Sequence, residues 1–160
     1  MSLKEGFRQI VRIAETDIDG NLSLIYGLAE IKGVGVAFAL GICRVLGLDP
    51  HMRIGLLTDD QIEKIEDVIK NPSNYGIPAW MYNRRKDYAT GVDMHVVSSE
   101  LIYHVKEDIE REKRIKSYRG IRHALGLKVR GQRTRTTGRL GATVGVSKKK
   151  TTQQQQQQKK

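Results

Sequence analysis

The chain contains no aspartate or glutamate after Glu112. Residues 113–160 hold 15 of the 28 lysines and arginines, whereas residues 1–112 hold the other 13 together with all 18 acidic residues. Positive charges at this density repel one another in a free chain, so the segment requires a polyanion to condense around, usually a nucleic acid. A solubilising tail is the alternative, although such tails rarely extend so far without acidic residues. The charge distribution therefore predicts a mildly acidic folded region followed by a basic tail that binds nucleic acid.

Periodic apolar residues in the first half predict a small helical domain over residues 1–75. Residues 7–14 alternate partly between apolar and polar, which predicts a short strand or extended segment, and the polar run 17–21 predicts a turn. Helical spacing of apolar residues follows over 22–30 and again over 36–46. These elements, with a third helix, are sufficient to bury one small core.

The third helix is predicted to begin at Thr58, because Thr58 and Gln61 have the spacing of a capping box. An irregular connection over residues 76–98 follows, since the turn-forming prolines and glycines concentrate there. We expect aromatic side chains to pin this connection: Trp80, Tyr82 and Tyr88.

The last third is predicted to contain a long polar helix and a short helix over residues 99–127, then an extended basic tail over 128–160. Ser98 or Ser99 can cap the long helix, which has only a narrow apolar stripe and ends near Ser117. The tail has no amphipathic period and is expected to be disordered when free. The predicted fold is thus mostly α. No function is expected from the glutamine run 153–158.

Several classes of protein are excluded by what the sequence lacks. No apolar run approaches the ~20 residues of a membrane helix, and the first residues do not form a signal peptide, so we expect a cytoplasmic protein. The single cysteine, Cys43, lies in an apolar run and is expected to be a small buried hydrophobe. The four histidines lack ligand spacing, so neither a metal nor another cofactor is expected.

The first candidate binding element is the sequence Lys32-Gly33-Val34-Gly35 between two predicted helices. Two glycines around one apolar residue make a tight hairpin that feeds a helix N-terminus, where free N–H groups favour an anion. The arrangement resembles the helix–hairpin–helix, or helix–two-turns–helix, elements that grip a phosphate backbone. An ordinary helix–helix turn is the alternative.

The second candidate element is the basic run that begins near the end of the long helix. Arginine forks bind phosphate oxygens bidentately, while Thr and Gln add hydrogen bonds to sugar or phosphate. Alternation over 132–137 sends the arginines one way and the hydroxyls the other. His123 either stacks on a base or is structural, and the structural role is favoured. The candidate RNA-binding residues are Arg114, Lys116, Arg119, Arg122, His123, Lys128, Arg130, Gly131, Gln132, Arg133, Thr134, Arg135, Thr136 and Arg139.

The sequences YRGIRH at 118–123 and VRGQRTRT at 129–136 resemble the signature of a universal ribosomal family. It is the family of small-subunit protein thirteen in bacterial numbering, called eighteen in eukaryotes. The segment from GIPAW at 76–80 through KDY at 86–88 resembles the archaeal and eukaryotic branch, since bacterial members lack it. Glu15 stands where the family usually has glycine, so the turn there is expected to differ.

The resemblance implies a structural role in the head of the small subunit, without enzymatic activity. Family members bind small-subunit rRNA, and their N-terminal domain bridges to large-subunit rRNA and to large-subunit protein five. The tail lies beside small-subunit protein nineteen and runs toward tRNA, which would bring Lys148, Lys149 and Lys150 nearest to tRNA.

Two other classes of protein share some of these features. A DNA-repair enzyme also uses helix–hairpin–helix elements, but it needs acids near its substrate, and the basic region holds none after Glu112. A DNA-compacting protein would have a similar charge, but it would bind duplex DNA and structured RNA about equally.

Overall fold

The computed structural model describes residues 7–137 and Gly141. The elements in chain order are β1 (Ile10–Ile13), β2 (Thr16–Asp19), α1 (Leu24–Ala29), α2 (Val36–Leu46), α3 (Asp59–Lys70), α4 (Ser98–Arg114) and α5 (Tyr118–Ala124). Short 3₁₀ turns occupy Ile54–Leu56, Pro72–Tyr75 and Ala79–Met81. The chain divides into two compact units between Ile109 and Glu110, within α4. The prediction of a mostly helical fold is confirmed, and no helix of the described part is long and apolar enough to cross a membrane.

The two strands form an antiparallel hairpin whose turn consists of Ala14 and Glu15. Both turn residues have positive φ, +46° and +64°, as a two-residue hairpin turn with the favoured twist requires. The predicted turn over 17–21 is therefore wrong over its first three residues, which belong to β2. Ile18 is buried there between two exposed aspartates, so a strand alternation was hidden by polar composition.

The hairpin and the first three helices enclose the core of the first unit. Helix α2 spans the predicted residues, and α3 begins after Thr58, whose backbone N–H donates to Gln61 Oε1 at 3.1 Å. Helix α1 is shorter than predicted, because Ser23 pairs with Arg53 in a β-bridge instead of entering the helix. The largest buried side chains are Ile13, Ile18, Leu24, Leu28, Ile31, Ile42, Ile54, Ile65 and Ile69.

Cys43 is buried in this core, as predicted. Burial raises the pKa of the Cys43 thiol, because a desolvated thiolate is unfavourable. The side chain thus acts as a small hydrophobe.

The connection between α3 and α4 is held together by Asn83 and packs against the core through His95. The Asn83 side chain donates to Val96 O at 2.6 Å and accepts from Val96 N at 3.0 Å, while its backbone N–H donates to His95 Nδ1 at 3.3 Å. The His95 ring stacks on Phe38 of α2 with centroids 3.8 Å apart. Burial lowers the pKa of His95 to about 4, so the imidazole is neutral near pH 7.

The aromatic residues of this connection differ in their roles. Tyr82 is buried and its hydroxyl donates to Ile77 O at 3.0 Å, so it pins the segment as predicted. Trp80 and Tyr88 instead have exposed side chains, 70% and 74% accessible. Their exposure leaves the connection anchored by hydrogen bonds and Tyr82.

Helix α4 has no buried residue, in agreement with its narrow apolar stripe. The hydroxyls of its first two serines donate hydrogen bonds to the β-hairpin of the first unit. Ser98 Oγ donates to Ala14 O at 2.6 Å, and Ser99 Oγ donates to Glu15 Oε2 at 2.5 Å. The start of α4 is thus attached to the turn of the β-hairpin.

Candidate nucleic-acid interface

The hairpin between α1 and α2 is a compact turn, and only some of its residues are exposed to solvent. Ile31 and Val34 are buried in the core, and the Val34 N–H donates to Ile31 O at 3.0 Å. Lys32 and Gly35 are exposed. Of the four residues predicted to bind RNA here, Val34 can therefore offer only backbone atoms.

The fold requires glycine at position 33 of the hairpin but not at position 35. Gly33 has φ +102°, and a Cβ there would lie 2.6 Å from Val96 O and 3.2 Å from Asn83 Nδ2. Protein packing alone therefore requires glycine at this position. Gly35 has φ −104°, which any residue adopts, and a Cβ there would meet nothing within 4 Å. The fold of the described residues does not require glycine at 35.

Gly35 is the N-cap of α2 and supplies no side-chain cap. The first turn of α2 contains no acidic residue, and its first two residues, Val36 and Ala37, are exposed. The first N–H groups of a helix have no intrahelical acceptor, and the helix dipole adds partial positive charge. The helix start is thus open to an anion that can approach closely because position 35 has no side chain.

In the second unit, the end of α4 and the start of α5 form a tight corner. A Cβ at Gly120 would lie 2.1 Å from Glu112 O and 2.8 Å from Lys113 N, so only glycine permits this approach of two backbones. Ser117 caps α5 by accepting from Gly120 N at 3.0 Å. Lys116 takes φ +57° in the turn between the helices. The corner ends α4 at Arg114, earlier than the predicted Ser117.

Helix α5 ends in a Schellman arrangement around Gly126, which has φ +67°. Leu127 N donates to Arg122 O at 2.9 Å and Gly126 N donates to His123 O at 3.2 Å. The Arg122 side chain donates from Nε to Lys128 O at 2.8 Å, which holds the following chain against the helix end. Arg122 and His123 are only half-exposed, whereas the other predicted RNA-binding residues between Arg114 and Thr136 are exposed.

Residues 127–137 have no regular secondary structure. The chain bends over 129–131 and 135–137, and Thr137 Oγ1 donates to Arg133 O at 2.8 Å. The strict alternation predicted for 132–137 is therefore interrupted. Every residue from Arg130 to Thr137 is exposed.

The exposed cations of the second unit lie along a continuous stretch of chain. Between Lys113 and Thr137 the sequence carries nine lysines and arginines and no carboxylate. The lysines and arginines predicted to bind RNA are exposed here apart from Arg122. The stretch can therefore present several guanidinium groups to a phosphate backbone. Arg139 and the predicted tRNA-proximal residues Lys148, Lys149 and Lys150 lie outside the described residues.

Lys113 was not among the residues predicted to bind RNA, but it adjoins the same basic stretch. It is exposed in the last turn of α4, next to Arg114. Its position directly after the last acidic residue is the signal that could have identified it. Over the part of the chain that the structure describes, no three His, Cys, Asp or Glu side chains are grouped to hold a metal ion.

A partly exposed hairpin in one compact unit and a basic stretch without carboxylates in the other are features of a structural nucleic-acid-binding protein. The family model described as Ribosomal protein S13/S18 matches residues 12–140. The chain therefore belongs to the ribosomal protein S13/S18 family. It is a structural small-subunit ribosomal protein rather than an enzyme. The predicted family and the predicted structural role are therefore confirmed.

Curated relatives support the same assignment. The small ribosomal subunit protein uS13 of Staphylothermus marinus is 72% identical over 149 residues, covering 93% of this chain and 99% of the relative. The proteins of the same name from Hyperthermus butylicus and Methanocaldococcus jannaschii are 64% and 54% identical, covering 92% and 89% of this chain and 98% and 95% of each relative. These organisms are archaea, in agreement with the branch indicated by the segment at 76–88.

Proposed function

We propose that the chain binds small-subunit rRNA in the head of the small ribosomal subunit, mainly through its basic second unit. The observation that carries this proposal is the run of nine cations without a carboxylate between Lys113 and Thr137. Such a surface gains its affinity by releasing counterions from phosphates. Family membership supports rRNA as the polyanion.

The basic surface follows a backbone rather than reading bases. Most of its arginines lie on irregular chain or at helix ends rather than along one face of a long helix that could enter a groove. Exposed Gln132, Thr134 and Thr136 alternate with Arg133 and Arg135 in sequence and supply hydrogen bonds to sugar and phosphate oxygens. RNA shape and phosphate spacing would then determine where the segment binds.

The hairpin adds a second phosphate contact in the first unit. The open start of α2 supplies free N–H groups, Lys32 supplies a cation, and Gly35 leaves room for a phosphate oxygen. Gly33 contributes indirectly by allowing the hairpin to pack against the chain at Val96.

The first unit is also proposed to reach the large subunit, where it would contact large-subunit rRNA and large-subunit protein five. The solvent face of α3 supports a protein neighbour, because Asp60, Glu63 and Asp67 are exposed there and would repel phosphates. Contacts of the tail with small-subunit protein nineteen, and of Lys148–Lys150 with tRNA, are proposed on family membership alone.

The proposal is tested by reconstitution and by competition. Tagged full-length protein is expected to co-sediment with small subunits, and with no other ribosomal fraction, in high-salt gradients. Purified protein is expected to prefer small-subunit rRNA over duplex DNA of equal length. Equal affinity for both polyanions, with no co-sedimentation, would contradict the proposal and favour a DNA-compacting protein.

A further inference from the structure

The sole tryptophan of the chain is held in an exposed position by a buried framework on both sides. Trp80 occupies the middle of the 3₁₀ turn Ala79–Met81, and its side chain is 70% accessible. The flanking segment is fixed, because the Tyr82 hydroxyl donates to Ile77 O and the Met81 methyl packs over Gly41. No other aromatic ring among residues 7–137 stacks on this indole, so most of its surface is left for a ligand.

Trp80 forms one wall of a cleft of about 380 Å³. The other lining residues are Ala79, Arg85, Lys86 and Asp93. Arg85 and Lys86 are exposed, and neither takes part in an ion pair among residues 7–137. Asp93 is engaged, because its Oδ1 accepts from the Lys86 backbone N–H at 2.7 Å. The cleft therefore combines an aromatic face with two cations against one carboxylate.

The loop that carries these cations is held by the neighbouring Arg84. Its guanidinium donates to Asp87 Oδ1 at 2.6 Å and to both Asp108 oxygens at 2.8 and 3.1 Å. The second Asp87 oxygen accepts from Ala89 N and Thr90 N. These contacts occupy the Arg84 guanidinium and fix the conformation of the loop. The next two residues, Arg85 and Lys86, are exposed to solvent.

We propose that this cleft binds one unpaired RNA nucleotide. The base stacks on the Trp80 indole, the phosphates lie between Arg85 and Lys86, and Asp93 can accept from an amino group at the base edge. The combination of an indole with two free cations favours RNA over a peptide, since base stacking is sequence-tolerant and phosphates supply the countercharge. The inference rests on the proposed rRNA-binding function and adds a contact remote in sequence from the basic segment.

Because Trp80 is the only tryptophan, its fluorescence reports on the cleft directly. Full-length protein is titrated with transcribed small-subunit rRNA, and tryptophan emission is read after correction for absorption by the RNA. Stacking is expected to quench the emission and to protect the indole from acrylamide. Affinity is measured in parallel by filter binding, so that complex formation is established independently of fluorescence.

Variants separate the cleft from the rest of the interface. Trp80→Ala is expected to weaken rRNA binding about tenfold, and Trp80→Phe to retain most of the affinity, because a phenyl ring still stacks. Tyr26→Ala removes another exposed aromatic side chain, far from the cleft in sequence, and is the matched control, with unchanged affinity. Circular dichroism melting is expected to be the same for all variants, since the replaced rings are exposed.

The outcomes distinguish the two proposals. If rRNA binds but the emission is unchanged and Trp80→Ala binds like wild type, the cleft proposal is overturned and rRNA binding stands. Quenching that requires added ribosomal protein would also overturn it, because the occupant would then be a protein. If no rRNA binds at all, the proposed function itself fails.

Discussion

The hairpin between α1 and α2 allows packing and phosphate binding to be tested with a pair of matched substitutions. Gly33→Ala and Gly35→Ala add the same methyl group two residues apart. At Gly33 the methyl carbon would lie 2.6 Å from the Val96 carbonyl oxygen, on a backbone with φ +102°. At Gly35 it would meet nothing within 4 Å. The first substitution should therefore affect folding, and the second should affect binding.

The expected magnitudes follow from these distances. A positive φ for a non-glycine residue costs about 1–2 kcal/mol, and overpacking against backbone adds about 1–3 kcal/mol, so Gly33→Ala should destabilise by about 3 kcal/mol. For a unit of this size that lowers the melting temperature by roughly 10–20 °C. Gly35→Ala should cost about 0.5 kcal/mol, the difference between Gly and Ala at an N-cap.

Thermal unfolding by circular dichroism and rRNA filter binding provide the two readouts. Gly35→Ala is expected to weaken rRNA binding about tenfold, which corresponds to about 1.4 kcal/mol, the size of one hydrogen bond to a charged group. If Gly33→Ala melted within about 2 °C of wild type, the packing argument would be refuted. If Gly35→Ala bound rRNA like wild type, the helix start would not be a phosphate site.

Three further substitutions test other parts of the structure. Glu15→Gly should have a free energy of unfolding in urea about 1 kcal/mol above that of Glu15→Ala, because both variants lose the hydrogen bond from Ser99 and only glycine relieves the left-handed conformation; equal values would contradict this strain. Burial lowers the pKa of His95 to about 4. Unfolded chains therefore bind a proton below pH ~6.5 that folded chains exclude. The free energy of unfolding should consequently fall as the pH drops from ~6.5 to 4. His95→Phe keeps the ring on Phe38 and should remove that part of the pH dependence, whereas identical pH curves would argue against a buried neutral imidazole. Gly120→Ala should open the α4–α5 corner at Glu112 and shift the amide NMR signals of both segments, and an unchanged spectrum would exclude the close approach.

Local sequence signals identified helices better than they identified the β-hairpin. Helix α2 is bounded by Gly35 and Gly47, and both of its ends were predicted correctly. Strand β2 was mistaken for a turn because the burial of Ile18 depends on pairing with β1, which local composition does not reveal. The true turn, Ala14–Glu15, lacks the Asn or Gly that normally marks such a conformation.

The candidate site was predictable where charge alone defines it. The basic stretch follows directly from the absence of carboxylates, and the structure describes most of its nominated side chains as exposed. The different roles of Gly33 and Gly35 could not be predicted, because they depend on the distant chain at Val96. The exposure of Trp80 was likewise hidden, since side-chain direction in a 3₁₀ turn depends on how its neighbours pack.

The salt dependence of rRNA binding tests the central claim that the basic stretch contacts phosphates directly. Log affinity against log salt should fall by about 0.7–0.9 for each phosphate neutralised, and replacing Arg133 and Arg135 by Ala should flatten the slope by up to about two units. Lys64→Ala with Lys106→Ala removes two exposed charges from the first unit and should leave the slope unchanged. Equal slopes for wild type and the arginine variant would contradict direct phosphate contact.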